Sequence, residues 1–507
     1  MSDEQKNDAK SSTENGAKPD HEPPAGAETK ATWTGGETPI DYTATAKWIV
    51  LRKKEKPAAE IFSVSYVSDA GDKDRPVTFV FNGGPGASSA YLHMGAVGPQ
   101  RIAFPPDGTL PEMPPRLVPN EASWLAFTDL VFVDPVGTGF SRIIEPEKKE
   151  DGKEKKEDAT DPKEYFGFKR DLESLCEFMG RWLSANGRWG SPVFIAGESY
   201  GGYRVGRLLR VLQETAGIGL NGAILISPAL EITPLNPTDY DVLGWIDTLP
   251  TMALAAVHHG RSRAFAQGAP MEDVQREAEE FATGDFSSFL TRGASMPEEE
   301  RQRILARQAD LIGLPLDLVV RSEGRIQIHT FARELLRDER KIVGLYDSTI
   351  TATDPFPDRA VYGGPDPTLS GISPAYTMAI NRMLRSEIGV DSDREYTLLS
   401  YEVNMAWKVD TDQHHAFLAA PGATDDFRYG MSLNPHVKAF VTHGRYDLVT
   451  PYFASDRLRN LMRLDPEMAG RLTVSHFGGG HMFYAWETSR LAFTSEIGAF
   501  VADAIRG

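Results

Sequence analysis

The sequence predicts a doubly wound α/β fold carrying a mainly helical insertion. Three observations point there. Short continuous apolar runs recur along the 507-residue chain, the pattern of strands covered on both faces in a parallel sheet. Amphipathic helical patterns fall between them. From about 235 to 395 the strand signals thin out and helical patterns take over, before strand-like runs return.

Residues 1–36 come first. They are rich in Lys, Glu, Asp, Pro, Gly and Ser without a hydrophobic period, so a disordered tail is expected. A first core section, 37–234, holds the strand candidates EIFSVSYVS (60–68), VTFVFN (77–82), DLVFVD (129–134), PVFIAG (192–197) and GAILIS (222–227). Within it, the stretch 168–186 sets Leu172, Leu175, Cys176, Met179 and Leu183 along one stripe of a helix. Cys176 there reads as a small core residue rather than a reactive thiol. The run 145–164 mixes both signs of charge and reads as a solvated surface insertion. Residues 235–395 form the expected helical cap, with amphipathic segments at 297–313 and 377–389. A second core section, 396–507, supplies VKAFVTHG (437–444) and RLTVSHF (471–477).

Fifty-four basic against seventy-two acidic residues give a net charge of −18. That balance excludes a protein gripping phosphate backbones, so no nucleic-acid partner is expected, and it disfavours docking on an anionic membrane. The single cysteine, Cys176, builds neither a disulfide nor a cysteine-rich zinc site. No apolar run reaches the length of a transmembrane helix, and the opening residues lack the apolar core of a secretory signal. A cytoplasmic address is therefore expected.

The residues that carry chemistry start at FIAGESYGGYRVGRLL (194–209). A strand runs into Gly197-Glu198-Ser199-Tyr200-Gly201 and then into a helix starting near Tyr203, the setting that G-x-S-x-G requires. Ser199 is the candidate nucleophile. A serine hydroxyl needs a base, and in this arrangement the acid follows first and the histidine last. His481 comes after RLTVSHF and three glycines, and Asp447 sits just beyond VKAFVTHG, placed to hold the imidazole's tautomer. His476 reads as a core or face residue. The pairs His258-His259 and His414-His415 lack metal-ligand spacing. After VTFVF, the loop Asn82-Gly83-Gly84-Pro85-Gly86 can aim N–H groups into a cavity and, with the N–H of Tyr200, form an oxyanion hole. Neither a phosphate-binding G-x-x-x-x-G-K-[ST] nor a zinc-binding H-E-x-x-H occurs, and acyl transfer here needs no cofactor or metal.

Together, NGGPGASS (82–89), VGTGFS (136–141), GESYGG (197–202), GRYD (444–447) and GGHM (479–482), in that order, resemble the serine carboxypeptidase family, peptidase family S10. The resemblance implies an α/β-hydrolase fold with an inserted cap, in a bacterial-type member without disulfides. It implies removal of single residues from peptide C-termini through an acyl-enzyme, often best at acidic pH. On the matched positions, Ser199 is the nucleophile, His481 the base and Asp447 the orienting acid. Gly84 and Tyr200 supply the oxyanion hole, and Asn82, Gly83 and Glu198 hydrogen-bond the substrate's terminal carboxylate. To do so Glu198 must be protonated, which suits an acid-favouring enzyme.

Four positions depart from the family pattern. Ala96 stands where a second glutamate usually pairs with the first, and Ala87 replaces the usual cysteine of NGGPGCSS. Arg445 replaces a common aspartate, and Phe483-Tyr484 replaces the usual Val-Pro after GGHM. The leading expectation is a carboxypeptidase-type serine hydrolase acting on peptides. An esterase, amidase or acyltransferase with the same triad is the first alternative, since triad and fold do not fix the substrate. An N-terminal proline-type exopeptidase and a catalytically silent binding protein are the others. Arg101, Arg142 and Arg204 are candidates to grip a terminal carboxylate in place of the lost glutamate.

Overall fold

The computed structural model describes residues 21–144, 162–359, 362, 364–408 and 421–506. Ten strands form the central sheet: β1 (Ala27–Trp33), β2 (Ile40–Lys53), β3 (Lys56–Ser68), β4 (Val77–Phe81), β5 (Asp129–Val133), β6 (Arg142–Ile143), β7 (Val193–Glu198), β8 (Gly222–Ile226), β9 (Lys438–Gly444) and β10 (Leu472–Phe477). Their order is β1-β2-β3-β5-β4-β7-β8-β9-β10, with β6 beside β3. From β5 to β10 neighbours run parallel, while β1, β2, β3 and β6 pair antiparallel.

Side chains alternate along a strand, so each apolar run serves two cores. In β7, Val193 and Ile195 join the helices Phe168–Asn186 and Tyr200–Val211 on one face. Phe194 and Ala196 join the helices Pro367–Arg382 and Glu487–Ile505 on the other. Cys176 packs at the edge of the first of these cores, where burial pushes its thiol up to about 12. Among the described residues no helix is long and apolar enough to cross a membrane.

Two boundaries of the sequence reading need correction. The tail does not extend to residue 36. Ala27–Trp33 forms β1, paired with β2 from Ala27↔Ala46 to Trp33↔Ile40. An edge strand is largely solvated, so its composition stays polar, and Trp33 alone is buried, its indole N–H donating to the Asn120 carbonyl at 2.8 Å. Residues 1–20 lie outside the described residues, as do 145–161 of the charged run and His414-His415. The insertion also divides. The helices Leu243–His258, Met271–Phe281 and Glu298–Ile312 share a third apolar core with Tyr446, Leu448 and Tyr452. The helix Pro367–Arg382, by contrast, buries Ile372, Tyr376 and Ala379 in the sheet's own core. The distinct cap thus closes with the hairpin Lys341–Val343 and Thr351–Thr353.

Candidate active site

Three strand ends bring the candidate residues together. β7 finishes at Glu198, and Ser199 turns the chain with φ 61° and ψ −124°, outside the comfortable range of an L-residue. Such a conformation costs about 1–3 kcal/mol and persists only where its surroundings hold it. Here the Ser199 N–H donates to the Ile226 carbonyl at 2.9 Å, and the Ser199 carbonyl accepts from Gly202 at 2.9 Å and Ala229 at 3.1 Å. Gly197 permits the close turn, since a Cβ there would lie 2.1 Å from the Gly201 carbonyl oxygen. The helix begins at Tyr200, earlier than the sequence suggests, so the Tyr200 N–H opens it with no preceding turn to accept it. The Tyr200 ring itself stacks in the core against Tyr203 and Phe168, leaving only the backbone for the cleft.

Beyond β9, Asp447 is fully buried and accepts the N–H groups of Val449 at 2.8 Å and Thr450 at 3.1 Å on Oδ1. Its Oδ2 lies 2.6 Å from Nδ1 of His481, so the imidazole is held through that nitrogen. Thr450, unmarked in the sequence reading, places its hydroxyl 2.6 Å from Asp447 Oδ2 and 3.0 Å from the Ser227 carbonyl and from His481 Nδ1. Burial alone would lower the His481 pKa; the adjacent Asp447 charge and hydrogen bond outweigh it and raise it above 6.5.

Asn82, Gly83, Gly84, Glu198, Ser199 and His481 line one cleft, together with Tyr91 and Tyr346. Gly83 packs so closely on the serine turn that an added Cβ would meet the Tyr200 nitrogen at 2.5 Å. The segment 397–404 pins this loop: Ser88 N–H donates to Leu398, Ser400 N–H to Gly86, and the Asn404 amide to Pro85. Glu198 is buried, with the Asn82 amide donating to Oε2 and the Tyr484 hydroxyl 3.0 Å from both oxygens. Burial drives its pKa up to about 7, against the pull of His481, Tyr484 and Asn82. Tyr484 was visible in the sequence only as a departure from the family pattern; its partner emerges from the fold.

The arginines do not reach the cleft. Arg204 is buried against Asp171, with Nε 2.7 Å from Oδ2, and its Nη1 donates to the Asn82 carbonyl at 2.6 Å. Arg142 donates to the carbonyls of Gly139, Ser141 and Glu395, and Arg101 pairs with Glu121. The expectation that one of them grips a substrate carboxylate is overturned, since each guanidinium is engaged elsewhere. Ala96 is buried in the turn His93–Val97. The Tyr484 ring packs against neighbouring Gly95, where a Cβ would lie 2.7 Å from Cε2. Among the described residues no three His, Cys, Asp or Glu side chains converge as a metal centre would need.

Residues 43–249 match the family model described as serine carboxypeptidase. Over that segment the chain is similar to the serine carboxypeptidase family. It is 32% identical over 156 residues to the pheromone-processing carboxypeptidase KEX1 of Yarrowia lipolytica, covering 30% of this chain and 21% of that protein. It is 29% identical over 175 residues to serine carboxypeptidase-like 37 of Arabidopsis thaliana, covering 33% of this chain and 32% of the other. The chain thus spans between a fifth and a third of these curated relatives. Among solved structures, the prohormone-processing carboxypeptidase Kex1(delta)p from Saccharomyces cerevisiae superposes over 92% of both chains, with a TM-score of 0.53 at 16% identity. That likeness extends the α/β-hydrolase fold beyond the matched sequence, to the half that carries Asp447 and His481.

Proposed function

We propose that the chain is a serine carboxypeptidase that releases C-terminal residues from peptides through an acyl-enzyme on Ser199. The observation that carries this reading is Glu198, a buried carboxyl one residue before the candidate nucleophile and in the same cleft. At a pKa of about 7 it is a neutral acid over much of the acidic range. Its O–H then donates to a substrate's terminal carboxylate, where an ionised glutamate would repel it. The Asn82 amide and Gly83 backbone complete that recognition.

The chemistry follows from the geometry. His481 Nε2 takes the Ser199 proton as Oγ attacks the scissile carbonyl, and Asp447 stabilises the imidazolium. The N–H groups of Gly84 and Tyr200 hold the oxyanion. His481 returns the proton to the departing amine, and water repeats the sequence on the acyl-enzyme. The substrate is a peptide, with neither nucleic acid nor membrane as partner. A cytoplasmic address belongs to the same reading, supported by the lone, core-packed Cys176.

Ala96 favours a second reading, an esterase or amidase with the same triad. Assaying an N-blocked dipeptide beside its amide and ester, with Ser199→Ala as control, separates the two. Preferential cleavage of the free acid, lost in the variant, supports the carboxypeptidase. Turnover of ester or amide alone makes the esterase or amidase reading correct.

A further inference from the structure

We propose that loop 344–350, at the tip of the cap's closing hairpin, is a positioning element for the catalytic triad, with Asp347 its central positioning residue. The inference rests on reading Ser199, Asp447 and His481 as that triad. It concerns how the insertion contributes to chemistry rather than to substrate choice.

The loop is wedged between the two triad-bearing turns and bonded to both. Toward the histidine, the Tyr346 carbonyl accepts the His481 N–H at 2.5 Å, and Asp347 Oδ2 accepts the Gly480 N–H at 3.0 Å. The Tyr346 ring also stands edge-on to the imidazole, with centroids 5.3 Å apart. Toward the acid, the Leu448 N–H donates to the Leu345 carbonyl at 3.0 Å. The Ser348 N–H and hydroxyl both donate to the Tyr446 carbonyl, at 3.0 and 2.9 Å. The approach is tight enough to require a glycine opposite: a Cβ on Gly480 would lie 2.1 Å from the Tyr346 oxygen.

Asp347 is the pivot because its two oxygens serve different partners. Oδ2 holds Gly480, while Oδ1 accepts the N–H and hydroxyl of Thr349 at 3.0 and 2.6 Å, fixing the loop's own turn. The cap holds the loop from behind, where the His259 ring meets the Ser348 carbonyl at 2.8 Å. Strand ends β9 and β10 deliver the acid and the base, and this loop from a different unit sets their separation. A displacement of about 1 Å in such a site costs on the order of a hundredfold in rate, so loosening the wedge lowers kcat far more than it changes KM.

The test uses the full chain as wild type, Asp347→Asn, Asp347→Ala and Ser348→Ala. Asparagine keeps the shape but offers one acceptor oxygen where two are used, so it forfeits one of the two bonds even if alanine fails to fold. Kinetics on an N-blocked dipeptide ester give kcat and KM. A fluorophosphonate probe reports nucleophile alignment directly: the Ser199 Oγ–P bond forms as P–F breaks, fluoride leaves and the serine proton passes to His481. The proton NMR signal of His481 Nδ1–H reads its bond to Asp447. We expect kcat and phosphonylation to fall roughly tenfold in Asp347→Asn and roughly a hundredfold in Asp347→Ala. Ser348→Ala falls a few-fold, KM stays within about twofold, and the Nδ1–H signal shifts. Folded Asp347 variants matching wild type in kcat, labelling and NMR overturn the positioning role alone. A wild type that the probe does not label at Ser199 overturns the nucleophile reading and this inference with it.

Discussion

The Tyr484 hydroxyl lies 3.0 Å from both carboxyl oxygens of Glu198, while Ala96 offers no second carboxyl to pair with it. A phenol donates a proton without adding negative charge, so Glu198 is ordered without the like-charge repulsion of two acids.

Removing that donor has a signed consequence. The Tyr484 hydrogen bond works to lower the Glu198 pKa, so Tyr484→Phe raises it further. The alkaline limb for a free-acid peptide should move to higher pH, while kcat/KM below it falls a few-fold as the carboxyl loses its anchor. Parallel pH profiles of the two proteins check this; an unmoved limb rejects the coupling.

Substrate charge should separate two titrations. The general base must be neutral, so activity on any substrate falls as pH drops through the raised His481 pKa. Carboxylate recognition needs protonated Glu198, so turnover of a free acid relative to its amide falls as pH rises through about 7. In Glu198→Gln the side-chain amide donates at every pH, and that relative decline should vanish. The alkaline limb for a free acid is therefore expected near neutrality, where burial places the Glu198 carboxyl.

Asp447→Asn keeps the shape of the acid but removes the acceptor that fixes His481 Nδ1–H. Turnover should fall by about 10⁴ with little change in KM, as expected when the wrong tautomer prevails. A loss below tenfold would remove Asp447 from the triad.

Asp171→Ala leaves the Arg204 guanidinium buried without its carboxylate. Removing one partner of a buried pair typically costs about 3–5 kcal/mol. Arg204 also holds the Asn82 carbonyl, so activity should fall along with stability. Urea denaturation of both proteins measures the first effect and dipeptide turnover the second.

The sheet's parallel half was legible because strands buried on both faces are apolar along most of their length, as residues 193–197 are before Glu198. β2 was not, because Tyr42, Ala44, Ala46 and Trp48 are buried while alternate neighbours stay partly solvated, and an edge strand such as β1 is more polar still. In the site, Ser199, Asp447 and His481 stood out because each follows its own strand in the order acyl-transfer chemistry requires. Tyr484, Thr450 and Asp347 did not, since their partners Glu198, His481 and Gly480 lie 286, 31 and 133 positions away and the contacts arise only when separate loops meet. Thr450 is close in sequence to Asp447, yet nothing in its turn announces a hydroxyl aimed at both Asp447 and His481.

The most direct measurement is a mass-spectrometric time course on an unmodified peptide and its C-terminal amide, with wild type and Ser199→Ala in parallel. A ladder of masses shortening from the C-terminus of the free acid, slowed for the amide and absent with the variant, is the expected result. A ladder growing from the N-terminus, or an intact peptide beside active ester hydrolysis, would contradict the carboxypeptidase reading.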